Sequence, residues 1–135
     1  CYFEAGGRMI SINDAILLTY PNQLLGGSTI TYNAGFTRRS VTAGISAINP
    51  GVQGDCPLTS EINEISVCGT TNDAVTLDTA EPGKEITIIN NGAQTLEIFP
   101  ASGDDLGAGV NTATTLIAGA NITFVSYNYV NWEIK

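Results

Sequence analysis

The chain has 135 residues, the size of one domain or of one domain with an arm, so a second full core is excluded. Hydrophobic residues make up 43% and charged residues only 13%, against roughly 25% in an average globular chain, a balance that excludes disorder and a coiled coil. Five Lys and Arg against 13 Asp and Glu give a net charge of −8, which repels phosphate backbones and anionic lipid and argues against nucleic acid as a partner.

The chain begins at Cys1 rather than Met, as expected of a processed chain or of one that starts inside its reading frame. Its longest clean apolar run, Ala15 to Leu18, is far short of the ~20 residues of a membrane span, so no membrane partner is expected. Charge divides the chain. Residues 1–42 carry Glu4 and Asp14 against Arg8, Arg38 and Arg39, net +1, whereas 43–135 carry eleven acids against Lys84 and Lys135, net −9. Up to residue 42, short apolar pieces around Ile10, Ile12, Leu17, Leu18 and Ile30 are separated by Gly6-Gly7, Pro21-Asn22 and Gly26-Gly27, with no sustained helical period. This predicts an extended arm, 1–42, with at most a turn or two of helix over Ile12 to Thr19, closed by Pro21. Thr29-Ile30-Thr31-Tyr32 alternates as a half-buried strand does, and its natural partner is a sheet edge, its own or a neighbour's.

Residues 43–135 read as a compact acidic β-domain. Strands are predicted at Ile62 to Val67, Ala74 to Leu77, Glu85 to Asn90, Thr95 to Phe99, Thr114 to Ile117, Ile122 to Tyr127 and Asn131 to Lys135. Glu81-Pro82-Gly83-Lys84 and Ala118-Gly119-Ala120-Asn121 supply turns, and Ser102 to Gly109 a loop. Asn90-Asn91-Gly92 is expected to close a tight hairpin between the third and fourth of these strands. The expected fold is all-β, a small antiparallel sandwich or barrel-like domain with an extended N-terminal arm. A domain of this size buries a limited share of its surface, which favours shared cores and, with short Thr-, Asn- and Gly-rich strands, a homotrimer.

Candidate sites are few. With no His in the chain, Ser-His-Asp, Cys-His and His-ligated zinc chemistry are all absent, and no cofactor is expected. Cys56 and Cys68 are twelve residues apart; they read equally as a disulfide and as two buried free thiols. Asp104-Asp105, with Gly103 and Asn111, offers oxygen ligands but matches no EF-hand spacing, and reads first as a solvated Asx-stabilised loop. Glu61 with Glu64, or Glu81 with Glu85, could serve a glycosidase's paired carboxylates, yet nothing places them in a cleft. Arg38-Arg39, the sole basic doublet, reads either as a solvated loop pair or, ahead of it because positive charge is so scarce, as a dock for a neighbour's acidic surface. Tyr127, Tyr129 and Trp132 cluster near the C-terminus, either as core and hairpin-closing rings or as a platform for a host glycan.

The run Gly51 to Glu64, then Ala74 to Leu77, Ile86 to Ala93 and Leu96 to Asp104, with the closing Phe124 to Tyr127 and Trp132, resembles a β-domain of tailed-phage virion proteins. The resemblance covers about residues 43–135 and none of the arm. It implies a non-enzymatic structural role in a virus particle, as a head decoration (cement) protein bound to the major capsid protein or as a fibre or spike module, commonly trimeric, and it carries no catalytic residues. In the decoration reading the arm adds strands to an adjacent sheet through Ile10, Ile12, Leu17, Leu18, Ile30 and Tyr32. A fibre module would instead contact a host glycan through Tyr127, Tyr129 and Trp132. A third expectation, from another class, is an extracellular filament subunit that polymerises by donating its arm; a glycan hydrolase acting between subunits ranks last.

Overall fold

A computed structural model of the chain describes residues 39–135. Among the described residues there is no helix. Eight strands form: β1 (Val41–Ser46), β2 (Ile62–Val67), β3 (Ala74–Thr76), β4 (Glu85–Asn90), β5 (Leu96–Phe99), β6 (Thr114–Leu116), β7 (Asn121–Ser126) and β8 (Trp132–Ile134). They build two sheets, one of five strands in the order β1-β2-β4-β7-β8 and one of three in the order β3-β5-β6.

Period-two alternation explains which side chains meet. In β4 every second residue is buried, so Ile86 and Ile88 face inward with Ile65 of β2 and Phe124 of β7. Val75, Leu96, Ile98 and Leu116 answer from the second sheet, and Leu58, Leu77 and Trp132 complete one apolar cluster. Burial of this kind, about 25 cal/mol per Å² of apolar surface, is the main term holding the sheets together.

The all-β expectation is met, and the antiparallel one is corrected. β1, β2 and β4 run parallel, as do β3 and β5; only β4–β7, β7–β8 and β5–β6 are antiparallel. The chain reaches this by crossing between the sheets four times, from β2 to β3, β3 to β4, β4 to β5 and β6 to β7. β1, β2 and β4 begin at residues 41, 62 and 85 and β3 and β5 at 74 and 96, a coil with a period of about 22 residues. The connection from β1 to β2 takes part too, bridging β3 at Ile48–Ala74 and Pro57–Thr76. β6 and β7 then run back against β5 and β4 and close the far end of the coil.

The hairpin expected at Asn90-Asn91-Gly92 is a corner between sheets, since β4 and β5 belong to different ones. Asn90, fully buried, makes that corner: its Nδ2 donates to Gln94 O and Leu116 O, both at 2.9 Å, and its Oδ1 accepts from Gly92 N at 3.0 Å. Gly92 is required by proximity, because a Cβ there would lie 2.4 Å from the Cβ of Cys68. The Pro-Gly turn is as expected, with Lys84 N donating to Glu81 O and Gly83 at φ +86°, the residue a type II turn needs there. The boundary expected between residues 42 and 43 falls inside β1, a strand the sequence reading did not find.

Candidate functional site

The outermost strand of the larger sheet is β1, and burial does little to hold it: only Ile45 is half-buried, and Val41 is 61% exposed. Carboxylates hold it instead. Glu61 Oε2 accepts from Ser40 N at 2.8 Å, Glu64 Oε2 accepts from Gly44 N at 2.8 Å, and Arg39 reaches Glu85 Oε2 at 3.1 Å. The Gly44 amide, then the Ser66 hydroxyl and the Asn91 amide, hold the Glu64 carboxyl below the usual carboxylate range. Lys135, with Arg39 after it, does the same for Glu85.

Arg39, expected to dock on a neighbour, pairs here with Glu85 of its own chain and keeps its side chain largely exposed. Arg38, Ile10, Ile12, Leu17, Leu18, Ile30 and Tyr32 lie outside the described residues. Glu61 and Glu64, the expected carboxylate pair, are likewise engaged by Ser40 and Gly44 and brace β1. Ser40, Leu58, Glu61, Asp78 and Glu85 line a shallow depression of about 80 Å³, well below the ~300 Å³ at which small-molecule sites begin. Lys84 reaches Asp78 across it at 2.9 Å, and that ammonium keeps the Asp78 carboxyl low.

The Asp104-Asp105 loop is internally satisfied. Asp104, buried, accepts from Ala80 N at 2.7 Å and from the Trp132 indole at 3.5 Å; Asp105 Oδ1 accepts from Gly107 N and Gly109 N. Asn111 Oδ1 accepts from Gly103 N at 2.7 Å. Among the described residues no group of three or more His, Cys, Asp or Glu side chains is placed to hold a metal ion.

The C-terminal aromatics separate into two roles. Trp132 is 1% exposed and belongs to the core, so it is removed from the expected glycan platform, while Tyr127 and Tyr129 are 58% and 73% exposed on the β7–β8 loop. Asn128 shapes that loop, its Oδ1 accepting from the amides of Val130 and Asn131.

No family model, curated protein or solved structure matches the chain.

Cys56 and Cys68 are free thiols, which settles the open choice against a disulfide. They sit at opposite ends of β3: the Cys56 carbonyl accepts from Thr76 N, whereas Cys68 precedes the turn at Gly69–Asp73 that enters the strand. Burial pushes both thiols up, helped by Asp55 at Cys56 and by Asp73 at Cys68, so neither is a thiolate nucleophile at neutral pH. The residues sequence reasoning missed are Ser40, Gly44 and Asn91, which set the position of β1. Gly44 alone left a signal, a glycine within a β-branched run, the mark of a bulge. No helix among the described residues is long and apolar enough to cross a membrane.

Proposed function

We propose that this chain is a structural protein of a virus particle, a head decoration protein that stabilises the shell through its N-terminal arm and through trimer formation. The observation that carries the reading is the placement of β1, an outer strand with little side-chain burial, joined directly to the apolar arm. A chain built in this way presents strand-forming material to a neighbouring sheet, and strand addition favours the assembled shell by mass action. The engagement of Glu61, Glu64, Asp104 and Asp105 with the chain's own amides supports a non-enzymatic role.

The test is binding of the full chain to expanded heads. Replacing Ile10, Ile12, Leu17 and Leu18 together with Ser is expected to abolish occupancy while the fluorescence of buried Trp132 stays unchanged. Full occupancy by that variant would sink the arm mechanism.

Exposure of Tyr127 and Tyr129 favours a second reading, a fibre or spike module whose loop stacks on a host glycan. It predicts loss of cell or glycan binding in the Tyr127→Ser, Tyr129→Ser double variant and a few copies per particle. An extracellular filament subunit, polymerising by donation of the same arm, would give open-ended polymers in light scattering in place of a discrete trimer.

A further inference from the structure

A sheet edge presents backbone N–H and C=O groups that only another strand or water can pair. The two sheets have four such edges, and three are covered or blunted. β3 is bridged by Ile48 and Pro57. β6 is three residues long, and β8 is three residues long with Glu133 inside it and Lys135 after it. β1 is different. It has six residues, none charged and none Pro, and its outer edge has no partner among the described residues.

The receptive part of that edge can be located. Ile62 N donates to Ser40 O, so strand alternation turns the backbone groups of Val41 and Ala43 away from β2. The register with β2 then shifts after Thr42, and Gly44, at φ +77°, gives its N–H to Glu64. The regular stretch is therefore Ser40 to Ala43, held in place at its start by Glu61 and Glu85. A short, preorganised edge suits a short strand.

Charge and chain length point to the occupant. The described residues carry eleven acids against Arg39, Lys84 and Lys135, so a second copy's β-domain approaching this edge would meet its own charge. Residues 1–38 are balanced, Glu4 and Asp14 against Arg8 and Arg38, and end next to β1. Within them Thr29-Ile30-Thr31-Tyr32 has the alternation of a strand and the length of the receptive stretch. β1, β2 and β4 already run parallel. Extending that run needs a crossover of about a dozen residues or more, whereas only 33–40 separate this segment from β1, so a parallel addition must come from another molecule. We infer that the Ser40–Ala43 edge of β1 is the seat of the Thr29–Tyr32 segment of a second copy of this chain, added parallel to β1. This rests on the strand-adding arm proposed above and names its receiving site.

The experiment uses the full chain and two variants, Ala43→Pro, which removes one outward N–H, and Ile30→Asp, which changes no residue of the β-domain. Native mass is read by light scattering across concentration, and hydrogen exchange at Val41 and Ala43 by NMR. The unaltered chain is expected to assemble, with those two amides slowing at least ten-fold as it does. Each variant is expected to weaken assembly at least ten-fold and to lose that protection, read at Val41 alone in Ala43→Pro, with Trp132 fluorescence unchanged; should Ala43→Pro misfold, Ile30→Asp reads the same outcome alone. Protection of Val41 and Ala43 in the monomer would show the chain folding its own segment back as an antiparallel hairpin and would overturn the inference. So would assembly that leaves both amides fast. Occupancy on expanded heads, measured in parallel, reports on the decoration role separately, because an arm that binds heads without seating on β1 defeats only the inference.

Discussion

The two outer strands of the five-stranded sheet differ in what keeps them there. β8 is short and charged, yet it is anchored by the indole of Trp132, 1% exposed beside Phe124 and Asp104. β1 is twice as long and uncharged, contributes only Ile45 to the apolar cluster, and depends on three carboxylates of β2, β4 and the segment before β2. One edge is thus fastened by burial, which is cooperative with the whole core, and the other by hydrogen bonds at the surface, which can open locally. The difference teaches which edge the core itself secures and which is left to contacts at the surface.

The comparison breaks most visibly at Trp132. Trp132→Ala is expected to cost about 3–5 kcal/mol in urea unfolding, because the ring's contacts and a cavity are lost together. The equivalent truncation on the other edge, Val41→Ala, is expected to stay within about 0.5 kcal/mol, since Val41 is mostly solvated already. Similar losses at the two positions would mean β1 is part of the core after all. Next in size is Asn90→Ala, expected to cost about 2–4 kcal/mol, because the buried Leu116 carbonyl, the half-buried Gln94 carbonyl and the Gly92 amide lose their partner. Asn63, also fully buried, makes one bond, Nδ2 to Ser60 O at 2.7 Å, and its Oδ1 has no partner among the described residues. Asn63→Ala is therefore expected to cost clearly less than Asn90→Ala in the same urea series.

These residues also mark how far sequence reasoning reached. Strand positions from Ile62 onward follow from alternation; the bounds of β2 and β4 agree with the expected ones, and burial alternates throughout β4 and in β2 as far as Ile65. Turns with a local requirement, such as the Pro-Gly turn at 82–83, were readable for the same reason. Sheet assignment was not. Asn90-Asn91-Gly92 carries the composition of a hairpin turn, but its use here depends on Leu116 O and Cys68, which are distant in sequence. β1 went unread because Ala43 and Gly44 interrupt its pattern and its anchors, Glu61, Glu64 and Glu85, lie 20 or more residues away. The exposed Tyr127 and Tyr129 were separable from buried Trp132 only once the β7–β8 register was known.

A smaller effect, again concentrated at β1, is expected from acid. Glu64 and Glu85 are held low by the amide and cations described above, and Asp73 by the Thr70 hydroxyl first, then the Thr70, Asn49 and Gly69 donors, against an opposing effect of burial. A carboxyl with a lowered folded-state pKa stabilises fully above its unfolded value, about 3.9 for Asp and 4.3 for Glu, and loses that contribution as pH falls through the folded value. The urea midpoint is therefore expected to fall as pH drops below about 4, with β1 amides losing protection before those of β4 once intrinsic exchange rates are removed. Glu64→Gln should flatten part of that fall, since its carboxyl no longer titrates. Simultaneous loss of protection in β1 and β4 would mean the carboxylates act on the whole domain.

The smallest change is expected at the loop beyond β7. Tyr129 is 73% exposed, and the loop's shape comes from Asn128 and the Asp105 bridge to Asn131 rather than from the rings. Tyr129→Ser should accordingly leave stability within about 0.5 kcal/mol. The outcome matters because it separates two causes of exposure. If stability is unchanged, the ring is held in water at no structural benefit to the isolated chain, which is the condition for a contact residue. A loss above 1 kcal/mol would instead place the ring among the supports of β8, and the burial-fastened edge would extend to the loop.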